Sequence, residues 1–360
     1  NVYERIKRIM AYISFSPKAH FNTKLWTGNS TNSTAITGVG FQPDMVWIKN
    51  RSTTDNHAIF DAIRGATYRI YPNATDAQVQ ATNSLASFDS DGFTLNDGGD
   101  ANGNGENIVG WNWKAGGAGS ANSNGSISST VSVNNTAGFS IVKWTGTGSN
   151  ATVGHGLNAA PKLVIVKNYS RAGENWRVGS ITGTVQGTGA TNFGASAQLD
   201  NTGGLNAASN IWNDTAPTST VFSVGTAQST NYSGDNLIAY CFKEVPGYSR
   251  IGIYQGRNNS DNTFVYTGFK PAFILIKNYG ASGHNWQIHD NKRLGYNPKN
   301  YQLYASAGLA EDTNHRLDIK SNGFKIVTTG GDNGHVSGYF YFAIAEMPAV
   351  GSNNTPALAR

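Results

Sequence analysis

One segment of the chain carries acidic and amide side chains at the spacing of a calcium loop. The segment reads DGGDANGNGE, and its candidate ligands are Asp100, Asn102, Asn104 and Glu106. Alternating oxygen ligands followed by glycine form the first half of an EF-hand loop, where they wrap a Ca²⁺ ion. Trp111 occupies the twelfth position, where such a loop needs a bidentate acid, so Glu106 would have to substitute. A calcium site and a plain Gly/Asn turn both remain open.

Two Asn-Trp pairs have the residue types that bind sugars. They are Asn175 with Trp176 and Asn285 with Trp286, and each tryptophan lies eight residues after an earlier asparagine. An exposed tryptophan can stack on a sugar ring while a neighbouring amide hydrogen-bonds its hydroxyls. The alternative is that both indoles pack in the core, where tryptophan in β proteins is more often found. A glycan site and a core position are both compatible with these four residues.

The acidic and histidine residues form no local catalytic pattern. The sequence contains no HExxH, no GxSxG, no phosphate-binding loop and no GxGxxG after a predicted strand. A glycosidase needs two carboxylates at a fixed separation. Among the acids only Glu244 and Glu346 recur in matching positions, at the ends of two predicted strands. We therefore expect a non-enzymatic protein.

The sequence segments that would position these residues occur three times along the chain. FQPDMVWIKN, APKLVIVKN and KPAFILIKN each place a Lys-Asn pair after a short apolar run, with the lysine six residues after a proline. In all three, a glycine precedes that proline by fifteen residues, and a later phenylalanine precedes an equivalent residue of a closing apolar run by twenty. Three matching spacings indicate an internal repeat with a period of about 110 residues.

Each copy has the pattern of short β-strands. The runs MVWI, LVIV and FILI are rich in β-branched and aromatic residues and are bounded by turn residues. Gly, Asn, Ser and Thr are frequent between the runs, and no helical period appears within them. The sequence predicts an all-β fold of three tandem β-sandwich or jelly-roll repeats, lectin-like in pattern, behind a short helical or extended N-terminal arm.

The spacings also predict domain boundaries. We expect an attachment arm at 1–17, copy one at 18–117, a Gly/Ser/Asn linker that could add an edge strand at 118–137, copy two at 138–247, copy three at 248–349 and a tail at 350–360. Each copy is long enough to have its own core. The arm places apolar residues on one helical face, which favours docking onto a partner or packing back onto copy one.

The repeated Lys-Asn pair has a functional and a structural interpretation. Lys49, Lys167 and Lys277 could bind a glycan or an acidic partner. The structural interpretation, which we favour, is that each lysine ends a buried strand by reaching into water. The asparagine that follows would then start a turn through its side-chain hydrogen bonds.

Composition excludes several classes of protein. Charged residues make up 14% of the 360, with a net charge of +5, which is too sparse for the basic face of a nucleic-acid-binding protein. No apolar run approaches the roughly 18 residues of a membrane span, so we expect no membrane insertion. Cys241 is the only cysteine, so an intrachain disulfide is not available.

Copy one resembles a known family. The segments GVGFQPDMVWIKNR, FDAIRG, SFDSDGF and WNWKAGG (between 38 and 117) resemble a β-rich domain that recurs in tandem in virion proteins of marine tailed bacteriophages, including those infecting cyanobacteria. Copies two and three keep the proline-strand-Lys-Asn and closing-strand elements but lack the FDxxRG and SFDxDGF motifs. The resemblance implies a structural or adhesive virion role, assembled in a bacterial cytoplasm, and carries over no catalytic residues.

These observations lead to one expected function and one rival. We expect a non-enzymatic virion surface protein, either a tail or capsid fibre or a capsid decoration protein. Its expected partners are other virion proteins through the arm, further copies of itself in a homo-oligomer, and a host surface glycan. The rival is a carbohydrate-active protein, either lectin modules or a polysaccharide depolymerase. We expect no cofactor other than the calcium considered above.

Overall fold

The computed structural model describes residues 15–180, 193–259, 261–293, 301–314 and 316–348. Most of the predicted arm and all of the predicted tail lie outside these residues. Within them the chain is all-β, as the sequence predicts, and its strands form six sheets in which every strand pair is antiparallel. Each copy contributes one larger and one smaller sheet, which gives a sandwich-like arrangement.

Copy one forms a six-stranded and a three-stranded sheet. The larger has the order β1-β9-β3-β4-β5-β6 and the smaller β2-β8-β7. The strands are β1 (Phe21–Thr27), β2 (Thr34–Thr37), β3 (Met45–Asn50), β4 (Ala58–Asp61), β5 (Gly65–Ile70), β6 (Val79–Gln80), β7 (Leu85–Asp89), β8 (Gly92–Leu95) and β9 (Asn107–Trp113).

Copy two and the preceding linker form an eight-stranded and a two-stranded sheet. The larger has the order β10-β11-β12-β19-β14-β15-β16-β17 and the smaller β13-β18. The strands are β10 (Ser120–Asn122), β11 (Ser129–Asn134), β12 (Phe139–Thr145), β13 (Ala151–Gly154), β14 (Leu163–Asn168), β15 (Arg177–Ser180), β16 (Ala195–Gln198), β17 (Asn206–Ala207), β18 (Val221–Val224) and β19 (Asn236–Phe242). The linker thus adds strands at the edge, as the sequence suggested.

Copy three forms a five-stranded and a three-stranded sheet. The larger has the order β20-β27-β22-β23-β24 and the smaller β21-β26-β25. The strands are β20 (Ser249–Gln255), β21 (Phe264–Tyr266), β22 (Phe269–Asn278), β23 (Gln287–Asp290), β24 (Leu303–Tyr304), β25 (Leu317–Lys320), β26 (Gly323–Ile326) and β27 (Gly338–Pro348). The described helices are short: a 3-10 turn (Pro17–Ala19), α1 (Gly99–Asn102), α2 (Ser209–Trp212) and α3 (Gln228–Asn231).

In each copy, the apolar run that ends in the Lys-Asn pair forms the central strand of the larger sheet. β3 lies between β9 and β4, β14 between β19 and β15, and β22 between β27 and β23. Successive side chains of a strand point to opposite faces of the sheet. In β3, Val46 and Ile48 face the core of copy one, whereas Met45 and Trp47 face a second core. A strand buried on both faces must be apolar throughout, which explains why the run does not alternate.

The second core is shared by all three copies. The equivalent residues Trp47, Ile165 and Leu275 belong to one cluster of buried side chains and line one small cavity of about 20 Å³. Such a volume holds at most about one water molecule. Each copy also encloses its own cluster between its larger and smaller sheets. The three copies therefore form a ring around a common core, and none of them is packed independently.

Candidate functional site

The two tryptophans of the predicted glycan site lie inside the protein. Trp176 is 0% exposed and Trp286 is 1% exposed, so neither ring presents a face on which a sugar could stack. The indole N–H of Trp176 donates to the carbonyl oxygen of Tyr71 in copy one at 2.8 Å. That of Trp286 donates to the carbonyl oxygen of Gln198 in copy two at 2.7 Å. The core interpretation of these residues is the one that the structure supports.

The asparagines beside them hold loops of their own copies. Asn175 donates from its side-chain amide to the Asp200 carboxylate at 3.0 Å. Asn285 accepts a hydrogen bond from the Ser306 hydroxyl at 2.9 Å. Asp200 and Ser306 lie at the same position after β16 and β24, so both amides perform the same structural task.

Copy one has His57 where the other copies have tryptophan. Register places Ala58 opposite Ile48, just as Arg177 lies opposite Val166, so the segment DNH matches ENW and HNW. Sequence comparison aligned NHA there because the loop of copy one is one residue shorter. His57 Nδ1 accepts from the indole N–H of Trp47 at 2.9 Å, and its Nε2 donates to the carbonyl oxygen of Tyr304 at 3.0 Å.

The environment keeps His57 neutral. Burial, and after it the positive charge of Lys49, lower the pKa of this imidazole well below its usual range. A neutral ring has one donor and one acceptor, and the indole donor of Trp47 and the carbonyl acceptor of Tyr304 match them one to one. The neutral histidine therefore contributes a hydrogen bond between copies one and three.

These contacts close the ring of copies. Copy two donates to copy one through Trp176, copy three to copy two through Trp286, and copy one to copy three through His57. The acceptors Tyr71, Gln198 and Tyr304 occupy the same position, directly after or at the end of the strand that pairs with β4, β15 or β23. One hydrogen bond is thus repeated three times around the ring.

The repeated lysines are buried, so the prediction that they reach into water is wrong. Lys49 and Lys167 are 0% exposed and Lys277 is 1% exposed. Each ammonium group donates to backbone carbonyls, because the loop that follows the strand turns back over it. Lys167 also reaches the Thr75 carbonyl of copy one at 3.0 Å. Burial, opposed by nearby carboxylates, lowers the pKa of each lysine to about 8.

The asparagine of each Lys-Asn pair starts the turn, as the sequence predicts. Asn50, Asn168 and Asn278 accept through Oδ1 from the backbone N–H two residues later, at 3.0, 3.2 and 3.1 Å. Their amide groups differ in what they bind. In copies one and two the partners include the carboxylates of Glu106 and Asp235, whereas Asn278 donates to the carbonyl oxygen of Gly331.

Two buried carboxylates connect the copies. Asp61 accepts from Arg64 of its own copy at 2.6 Å and from the Tyr240 hydroxyl of copy two at 2.8 Å. Asp290 accepts from Arg293 of its own copy at 2.6 Å. It also accepts from the Trp111 indole of copy one at 3.1 Å.

The Asp-Arg pair of copy three was missed in the sequence. Copy one carries it in FDAIRG, and copy three keeps the same Asp-x-x-Arg spacing in HDNKRLG. Burial opposes ionisation of Asp290, but the guanidinium of Arg293 outweighs it and holds the pKa of that carboxyl below its usual range. Arg293 also binds Glu311 at 2.9 Å, and Glu311 pairs with Arg51 of copy one at 2.7 Å. This network joins copy one to copy three.

Three of the four residues of the predicted calcium loop have other partners. Asp100 pairs with Arg69 and accepts from Ser84. Asn102 is buried and hydrogen-bonds the segment 29–34 and Asn96, while Glu106 accepts from Asn50. Asn104 is exposed. A calcium ion would have to displace these partners, and calcium binding stays a prediction.

The described residues also bear on metal sites and membrane spans. No group of three or more His, Cys, Asp or Glu side chains in that part of the chain is arranged to hold a metal ion. Over the same residues, every helix is too short or too polar to span a membrane.

Comparison with known proteins gives a family without a known activity. A family model described as a domain of unknown function, DUF7483, matches residues 16–348. The chain belongs to this family. No curated protein and no solved structure matches it significantly. The matched range spans all three copies, so the whole ring falls within one family domain.

Proposed function

We propose that this DUF7483 protein is a non-enzymatic surface component of a bacteriophage particle, in which three jelly-roll-like copies form one rigid body for assembly and display. The observation that carries the proposal is the closed ring of buried contacts between the copies. A body held by polar contacts on every side resists the relative motion of its parts, which suits a component that must present a surface at a set distance from a particle.

The contacts of the side chains that could do chemistry support a structural role for the protein. The buried ionisable groups that recur in more than one copy or lie between copies include His57, the three repeated lysines and the two Asp-Arg pairs. Each of them hydrogen-bonds backbone or a neighbouring copy. Perturbed pKa values arise at catalytic centres and in structural networks alike. Here His57, Lys167 and the two aspartates lie in the contacts between copies, and Lys49 and Lys277 donate to backbone carbonyls of their own copy, so we assign all of these groups to stability.

The wording of the virion-like motif supports the same interpretation. VWIKN contributes Trp47 and Lys49, FDAIRG contributes Asp61 and Arg64, and WNWKAGG contributes Trp111. Trp47, Asp61, Arg64 and Trp111 lie in the contacts around the shared core or between copies, whereas Lys49 donates to carbonyl oxygens of its own copy. A pattern that recurs in tandem in particle proteins and encodes the joints between copies favours a structural role.

The ring also bears on the oligomeric state, for which the homo-oligomer expected from the sequence stays a prediction. Surfaces that would join separate subunits in a homotrimer are here covered within one chain. We therefore propose that the protein works as a single-chain equivalent of a trimer on a fibre or on the capsid. Residues 1–17 would attach it to other virion proteins, and its outer surface would contact a host glycan.

The proposal is tested by locating the protein on phage particles and by removing the segment proposed to attach it to them. We expect the protein to band with purified particles in a density gradient and to be seen on them by labelled electron microscopy. A chain lacking residues 1–14 keeps every residue of the ring contacts named above and should no longer load onto particles. Absence from particles would overturn the virion proposal, and loading of the truncated chain would overturn the role of the arm. Release of reducing ends from host polysaccharide would overturn the non-enzymatic assignment.

A further inference from the structure

An open cleft occurs in copy three at the end of the Lys-Asn strand. Its volume is about 490 Å³, within the range of small-molecule sites. It lies between the segments 279–281 and 335–338, with Gln255 at one side. The cavities in the shared core and between copies two and three are about 20 Å³ each, too small for more than a water molecule.

Three residues at the cleft are smaller than their equivalents in copies one and two. Gly280 stands where copies one and two have Ser52 and Ser170, two residues after the repeated asparagine. In those copies the serine hydroxyl accepts from the backbone N–H of Asn107 or Asn236, at 3.0 and 2.9 Å, and so bridges the two segments.

The other two replacements lie on the facing segment. Register places Gly338 where copies one and two have those asparagines. The preceding residue is Ser337, where the other copies have the carboxylates Glu106 and Asp235. A Cβ atom at position 338 would lie 2.4 Å from the ring of Tyr279, so the aromatic side chain occupies the room that the glycine leaves.

Asn278 holds both walls of the cleft in place. Its Oδ1 accepts from the backbone N–H groups of Gly280 and Ala281 at 3.1 and 3.0 Å. The same oxygen accepts from the Ser337 hydroxyl at 2.8 Å. The asparagine of the Lys-Asn pair therefore has an additional structural role in copy three, because it fixes the shape of a concave surface.

The chemistry of the lining selects a class of ligand. Tyr279 supplies a half-buried ring and Val336, 61% exposed, supplies an apolar contact. His335 and Gln255 supply exposed planar polar groups, and the remaining lining residues are glycine, alanine and serine. The lining includes no Asp, Glu, Lys or Arg, so it offers neither a cation for phosphate nor carboxylates for a metal ion.

From this lining we propose that the cleft binds a neutral saccharide. A sugar ring presents an apolar C–H face to an aromatic side chain and hydroxyls to amide and imidazole groups. The proposal rests on the glycan-contacting role in the proposed function and gives it a location. It places the site in copy three, where Gly280, Ser337 and Gly338 stand in place of the serine, the carboxylate and the asparagine of copies one and two.

The test is direct binding by the full chain. Maltose, lactose, N,N′-diacetylchitobiose and mannobiose are each titrated while saturation-transfer NMR and ligand-induced shifts are followed. We expect saturable binding of at least one of them, and about tenfold weaker binding by Tyr279→Ala, because stacking on one ring is lost. Val336→Ser and His335→Ala, at exposed positions, should weaken binding without changing stability.

A matched control separates loss of binding from loss of packing. Tyr169 occupies the equivalent position in copy two and is also half-buried, so Tyr169→Ala should cost similar stability and leave binding unchanged. Binding by no disaccharide of the four would overturn the cleft proposal. So would binding that survives Tyr279→Ala and is lost in Tyr266→Ala, which lies on the outer face of β21. Detection on particles tests the virion proposal separately.

Discussion

The contact of copy one with copy three and that of copy three with copy two share a geometry but differ in chemistry. In the first, the Trp111 indole donates to Asp290, which Arg293 neutralises. In the second, the residues at the equivalent positions are Phe342 and Ser180, and the segment that follows Ser180 carries no Asp-x-x-Arg pair. The carboxylate, its arginine and the donor from the neighbouring copy are replaced together.

The difference shows how a buried charge is retained. Removing a carboxylate from water costs several kcal/mol, and only a full set of partners offsets this. Asp61 and Asp290 each have an arginine in their own copy and a donor in the next. Phe342 has no polar hydrogen, so a carboxylate opposite it would lack one partner. An apolar contact is then the better solution.

The largest expected effect comes from removing one charge of the network. Asp290→Ala leaves Arg293 without its closest carboxylate and Trp111 without its acceptor, and should lower the free energy of unfolding by about 3–5 kcal/mol. Urea denaturation followed by tryptophan fluorescence measures this. Lys325→Ala is the control, because its partner Asp261 is 94% exposed, and should cost about 1 kcal/mol or less. Equal losses in the two variants would contradict the assignment of Asp290 to the contact between copies.

A smaller effect is expected from single indole donors. Trp286→Phe leaves the Gln198 carbonyl without its donor and should cost about 1–3 kcal/mol. Trp144 is the matched control, since its buried indole nitrogen has no acceptor within hydrogen-bonding distance among the described residues. Trp144→Phe should therefore cost clearly less than Trp286→Phe. The reverse order in urea denaturation would refute the hydrogen-bonded ring as a source of stability.

The smallest effect is a pH dependence from the repeated lysines. The folded pKa of each is about 8, below its value of 10.5 in the unfolded chain. Above pH 8 the unfolded chain therefore binds more protons, and stability rises with pH. Burial raises the pKa of Cys241 above its usual 9, which opposes the rise beyond that point. The rise should thus be clearest between about pH 8 and 9.

Substitution separates the lysines from other groups. Lys167→Met should reduce the slope of stability against pH in that window, because one of the three shifted groups is gone. Lys320→Met, at a side chain 41% exposed, should leave the slope unchanged. Thermal melts at closely spaced pH values would detect the difference. A slope that survives in Lys167→Met would show that the lysine titrates alike in the folded and unfolded chain.

Local pattern predicted much of the fold. The spacings from Pro43, Pro161 and Pro271 located the central strand of every larger sheet, and the all-β class followed from composition and turns. The match of DNH to ENW and HNW was missed, because a one-residue difference in loop length shifts the alignment. The Asp-x-x-Arg spacing of HDNKRLG was a usable signal that was overlooked. The cleft could not be foreseen, since it forms where two segments far apart in the sequence, 279–281 and 335–338, lie side by side.

By itself the sequence determined the repeat, the β class and the apolar central strands, because strand periodicity and turn chemistry act over a few residues. Only the tertiary structure decided that the copies form a ring, since both faces of a central strand are apolar and either could have faced a neighbour. It also decided that Lys49, Lys167 and Lys277 are buried. A lysine at the end of a strand reaches water unless carbonyls enclose it, and for Lys167 one of them comes from another copy.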